Sequence, residues 1–132
     1  MLIPVWAIFL SALFAFGVGA LWYGPFFGRR WMDAVGMGLE NGKLEVPVMG
    51  ITLAFWVASA FIYSYLLQLS GKPGMVFPFC LAFALWLGFA FPVRLLSVLY
   101  AKQAKSLIWI DGGYYLLGYG VLAMMHVAFG DF

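Results

Sequence analysis

Four nearly unbroken apolar runs, at about residues 3–23, 48–69, 75–99 and 106–129, fill most of this 132-residue chain and leave few options for its fold. Each is close to the roughly 20 apolar residues that a helix needs to cross the hydrocarbon core of a bilayer. In lipid no water satisfies an exposed backbone, so a spanning segment is either a helix or a strand of a closed barrel. The runs are continuously apolar and lack the alternation of barrel strands, which selects helices. Composition agrees, with 66% hydrophobic and 9% charged residues, where a soluble domain carries about a quarter charged. The expected fold class is all-α: a polytopic membrane protein with four transmembrane helices in one compact bundle over residues 1–132.

The few charges are unevenly placed. Arg29, Arg30 and Lys43 lie between the first and second runs, and Arg94, Lys102 and Lys105 surround the third connection. Opposite them stands Lys72. By the positive-inside rule, loops 24–47 and 100–105 face the cytoplasm and both termini lie outside, in a multi-pass protein of the cell inner (plasma) membrane. The bias argues against insertion in both orientations. A net charge of +2 with no basic stripe offers no footing for nucleic acid. The opening MLIPVWAIFLSALF lacks a basic flank and a cleavage site, so a retained first helix is expected. The single cysteine, Cys80, cannot form an internal disulfide and reads as a packing residue.

Small residues recur at four-residue spacing in three runs: Ala7, Ser11, Ala15 and Gly19; Gly50, Ala54 and Ala58; Cys80, Ala84 and Gly88. Such ridges let helix backbones approach closely. They serve either packing within the bundle or association with a second copy, and the sequence leaves both open. After the first run, Phe27, Trp31 and Val35 share one helical face, with Arg29, Arg30 and Asp33 between them. This pattern predicts a short interfacial helix, with Trp22, Tyr23, Phe27, Arg29, Arg30 and Trp31 as an anchor at the membrane surface. A polar connection through Glu40, Lys43 and Glu45 follows.

Pro92 lies well inside the third run, where it removes the hydrogen bond to the Gly88 carbonyl. A kink between Gly88 and Pro92 is expected. Arg94 and Asp111 then stand at nearly equal distances from the turn at Lys102–Gln103, so an antiparallel hairpin sets them at one depth. Arginine can snorkel to the headgroups; aspartate cannot, and an unpaired central charge costs about 3 kcal/mol. Asp111 is therefore paired, protonated or wet. The pair reads either as a salt bridge fixing helix register or as a proton- or ion-sensitive site. Tyr114, Tyr115 and Tyr119 either line a wet cavity with Asp111 or pack between spans.

Two stretches echo each other. LWYGPFFGRR from Leu21 and LWLGFAFPVR from Leu85 share five of ten positions, either as a repeat, in which Arg30 is the counterpart of Arg94, or by chance in a composition rich in Leu, Phe and Gly, and the two stretches are expected at different depths. His126, near the end of the fourth run, reads as an interfacial histidine. With no second histidine a metal site is not expected. No phosphate loop, HExxH helix or GxSxG elbow occurs, so the chain carries no motif for an enzyme, a cofactor or an identifiable small-molecule ligand.

Gly19 with Trp22-Tyr23, Pro25 and Phe27-Gly28, then Trp31 and Gly36, then Trp86-Leu87-Gly88-Phe89 with Pro92, and finally Gly113-Tyr114 resemble a family of small four-helix bacterial membrane proteins, the domain of unknown function 1761 family. The resemblance spans nearly the whole chain and implies fold and location without an activity. Two functions are expected in competition. One is a non-enzymatic membrane protein acting through helix association, as a homo-oligomer or as an accessory subunit of a larger complex, with the lipid bilayer as its surroundings. The other is a small oligomeric transporter or channel built on Arg94 and Asp111.

Overall fold

The computed structural model describes residues 3–36, 46–71 and 74–130. Lys43, Lys72 and the polar connection 37–45 lie outside the described residues. Helix α1 covers Val5–Leu21, α2 Gly28–Val35, α3 Val46–Leu69, α4 Phe77–Leu85, α5 Phe91–Tyr100 and α6 Ser106–Phe129. Two π-helical turns, Trp22–Phe26 and Trp86–Ala90, extend α1 and join α4 to α5. Four helices are long and apolar enough to cross a membrane: Val5–Phe26, Val46–Leu69, Phe77–Tyr100 and Ser106–Phe129. This is an all-α, multi-pass membrane protein, and among the described residues there is no strand.

The last span organises the others. It has the lowest mean hydropathy, 1.2 against 1.8 to 2.0, yet its apolar window is the most buried, at 50%, while that of the third span is 6% buried. A helix that hides its surface from lipid is free to carry polar groups, whereas the third span leaves most of its surface uncovered within the chain. Helix α1 packs along α6 and also carries α3; α4 and α5 pack on α6. Helix α3 makes few contacts with α6, so α1 and α6 form a central pair with α3 on α1 and α4–α5 on α6, and α3 meets α4 where the Tyr63 hydroxyl donates to the Pro78 carbonyl.

The ridge Ala7, Ser11, Ala15 of α1 is buried in this central seam, and a Cβ on Gly19 would come within 2.7 Å of the Tyr114 hydroxyl. The other two ridges do not pack within the chain. Gly50, Ala54 and Ala58 of α3 are exposed, as are Cys80, Ala84 and Gly88 of the third span. Helix α3 turns Trp56, Ala60, Tyr63, Ser64 and Leu67 inward instead. The reason is volume: α3 stands off from α6, and the Trp56 indole fills the gap by pressing over Gly118, where a Cβ would lie only 2.2 Å away. A small-residue seam shows where helices could approach, not which seam a given packing uses.

Helix α2 folds back onto the end of the bundle. Trp31, Ala34 and Val35 pack against Val98, Leu107 and Ile108 in a second apolar cluster, with Arg29, Arg30 and Asp33 exposed on its other side. Gly36, in the left-handed region at φ 78°, closes the helix. The expected short helix is present, and it docks on protein through Trp31.

Candidate functional site

Asp111 lies on the buried side of α6 and is only 6% exposed. Arg94, from the second turn of α5, reaches across with Nε 2.8 Å and Nη2 2.7 Å from Oδ2. This is a two-point contact in which charge and geometry act together. The other carboxylate oxygen, Oδ1, accepts a hydrogen bond from the Tyr23 hydroxyl. The hairpin therefore does set the two charges at one depth, and the aspartate is satisfied on both oxygens. The remaining guanidinium nitrogen points outward, with Nη1 3.2 Å from Gln103 Oε1 and 3.5 Å from Ser97 Oγ. About a quarter of the Arg94 side chain is exposed.

Two indoles bracket this carboxylate. Trp22 Nε1 donates to the Ile110 carbonyl at 2.7 Å and Trp86 Nε1 donates to the Gly112 carbonyl at 2.8 Å. They are the matching tryptophans of the two echoed stretches, and both sit at the start of a π turn. In the first turn the Phe27 N–H bonds the Trp22 carbonyl; in the second the Phe91 N–H bonds that of Trp86. The wide turn stacks each tryptophan on the phenylalanine five residues later, with ring centres 4.4 Å apart in one case and 4.9 Å in the other. The adjacent glycines of α6 make room for these rings: a Cβ on Gly113 would lie 2.9 Å from Trp22, and one on Gly112 would lie 3.0 Å from Phe91. The two stretches therefore reach α6 at one level, contrary to the expectation of different depths.

Trp22 and Tyr23, expected as anchors at the membrane surface, also bind the last helix. Both are half-buried and spend their polar atoms inside the bundle. Phe27 is half-buried on Trp22, while Arg29 and Arg30 remain at the surface, Arg30 lying 5.9 Å over the Phe27 ring. Arg30 and Arg94 diverge because the echo ends in opposite ways. After Phe27, at φ −126°, the chain turns away into α2, and Gly28 is required there because a Cβ would meet the Tyr23 carbonyl oxygen at 2.6 Å. After Phe91 the helix continues, with Pro92 in the first turn of α5, where its missing N–H is tolerated. The interruption expected between Gly88 and Pro92 takes the form of the π turn, a recognised cause of helix bending.

The tyrosines divide. Tyr114 is buried, its hydroxyl accepting from Trp56 Nε1 at 2.6 Å and facing the Ala15 carbonyl at 3.5 Å, whereas Tyr115 is 37% exposed on the outer surface. His126, expected at the interface, faces into the bundle. It is fully buried; its Nδ1 lies 2.7 Å from the Leu122 carbonyl and its ring meets Tyr63 edge-on at 5.0 Å. Its Nε2 has no hydrogen-bond partner among the described residues. The sequence carried a signal for this, since Ile110, Tyr114, Gly118, Leu122 and His126 form one four-residue stripe, all of it buried. Tyr23 as a ligand of Asp111 had no local signal. Among the described residues no cluster of three metal-binding side chains occurs.

The chain matches the model of a family described as a protein of unknown function, DUF1761, over residues 6–127. It belongs to the DUF1761 family. The match takes in both π turns, the Tyr23–Asp111–Arg94 cluster and all four spans, so the DUF1761 unit is the whole bundle. No curated protein and no solved structure matches this DUF1761 chain.

Proposed function

We propose that this multi-pass membrane protein is non-enzymatic and works through helix association in the inner (plasma) membrane, as a homo-oligomer or as an accessory subunit of a membrane complex. The observation that carries this reading is the closure of Asp111, the one carboxylate within the spans among the described residues, by Arg94 and Tyr23. A carboxylate held on both oxygens fixes helices in place and leaves no free group to couple to an ion. The outward ridges Gly50, Ala54, Ala58 and Cys80, Ala84, Gly88 supply surface for close helix contact. Orientation follows the charges: α2 and the 101–105 turn, with Arg29, Arg30, Lys102 and Lys105, share one end of the bundle, which we assign to the cytoplasm, with both termini outside.

Mass measurement of the protein in mild detergent tests the association reading. A stable multimer or co-purifying subunit is expected, and Ala54→Leu or Ala84→Leu should weaken it; a monomer indifferent to both would overturn it. Single cysteines at Gln103 and Ser70 in a Cys80→Ser background test orientation, which fails if Ser70 is the labelled position from the cytoplasm. The transporter reading draws on one observation, the partly exposed Arg94 guanidinium beside Gln103. It requires a liposome proton flux that disappears in Asp111→Asn.

A further inference from the structure

The gap between α3 and α6 is a crevice with two unlike ends. One part, about 270 Å³, has Trp56 and Tyr114 as its aromatic wall and Thr52, Ser59, Tyr115 and Tyr119 as its polar lining. It adjoins a second part of about 220 Å³ that shares Ser59 and Tyr119 but continues over Ile62, Tyr63, Leu66 and Leu122, with Leu85 and Phe89 of the third span as its far wall. Hydroxyl-bearing rings thus give way to a mainly aliphatic lining across two adjoining hollows that share Ser59 and Tyr119. Thr52 already gives its hydroxyl to the Val48 carbonyl, and Tyr114 is occupied with Trp56 and Ala15. Ser59, Tyr115 and Tyr119 supply the donors that remain.

Depth and charge narrow the occupant. Ser59 and Tyr119 each lie 13 residues from the first residue of a span that begins at the basic end of the bundle. At 1.5 Å per residue that is about 20 Å along the helix, near the bilayer midplane, while Trp56 and Tyr114, 10 and 8 residues from the same ends, lie about 15 and 12 Å along it, still within the hydrocarbon core. No lysine, arginine, aspartate or glutamate lines either part. A phosphate at this depth would be stripped of water with no cation to receive it, so a phospholipid headgroup does not fit. A neutral acceptor does, because hydroxyls at this depth have no water to bond and gain from a carbonyl partner. A cavity of about 150 Å³ holds a benzene ring, so the polar part has room for a substituted six-membered ring.

We propose that this crevice binds a lipid quinone. The ring lies against Trp56 and Tyr114, its carbonyl oxygens accept from Ser59, Tyr115 or Tyr119, and its apolar tail follows Ile62, Leu66 and Leu122 out into the bilayer. No redox step is assigned to the protein. The site goes beyond the association function, since it uses the α3–α6 gap and neither of the outward ridges.

The test is retention of radiolabelled decyl-benzoquinone by the full chain in phosphatidylcholine nanodiscs. Saturable binding of one molecule per protomer is expected. Tyr119→Phe, which removes one hydroxyl, should weaken it about fivefold to tenfold. Ser59→Phe should abolish it by filling the crevice while leaving elution volume and melting temperature unchanged. Decylbenzene, which has the tail and ring without the carbonyls, should not compete. The proposal is overturned if retention does not saturate, if Tyr119→Phe binds as the parent does, or if decylbenzene or phosphatidylglycerol displaces the quinone.

Discussion

Removing Arg94 should be far more harmful than removing the Arg94–Asp111 pair. In Arg94→Met the stem of the side chain is kept, but a carboxylate that is 6% exposed is left with Tyr23 as its only ligand. Breaking one side of a buried pair costs about 3–5 kcal/mol, and the exposure of a quarter of the Arg94 side chain places this case at the lower end, about 3 kcal/mol. Asp111→Leu leaves Arg94 free to turn toward Gln103 and Ser97, so its cost falls to about 1–2 kcal/mol. The double variant removes both charges and strands only the Tyr23 hydroxyl, for about 1 kcal/mol. The singles then sum to about 4–5 kcal/mol, and the coupling is about 3–4 kcal/mol. Reversible unfolding in mixed micelles, with sodium dodecyl sulfate as denaturant, measures all three. A double variant as unstable as the two singles added together would refute the claim that the pair exists to satisfy itself.

Gly118→Ala should cost about 1–3 kcal/mol, because the new methyl group drives into Trp56; Gly120→Ala, with nothing within 4 Å, should be neutral or stabilise by up to about 1 kcal/mol. Melting temperatures of the two variants side by side decide this. Trp22→Phe and Trp86→Phe should each cost about 1 kcal/mol and should match each other, since the two indoles make the same bond to neighbouring carbonyls of α6; a large effect at one and none at the other would break the equivalence of the π turns. His126→Leu should leave stability unchanged or raise it by up to about 1 kcal/mol, because it removes a buried nitrogen that has no partner. A clear loss of stability in the same unfolding assay would mean that Nε2 is satisfied in the membrane.

The sequence by itself determined the spans, because apolar length is read directly against bilayer thickness and owes nothing to neighbours. The model spans, Val5–Phe26 to Ser106–Phe129, differ from the expected limits by at most three residues at any end. It also determined that Arg94 and Asp111 share a depth, since an antiparallel hairpin makes counting from the turn equivalent to measuring along the membrane normal. What lies around each helix was a tertiary matter. Tyr23 and Asp111 are 88 positions apart, and only the packing of α1 along α6 brings them together. The same packing makes Trp22 and Tyr23 ligands of the last helix. Ridges at Gly50 and Ala84 looked like the buried ridge at Ala7, yet Trp56 holds α3 away from α6 and turns the first of them outward. In a bilayer small residues are as compatible with lipid as with protein, so their spacing records which contacts are available, while bulk and hydrogen bonding in the assembled bundle decide which are made.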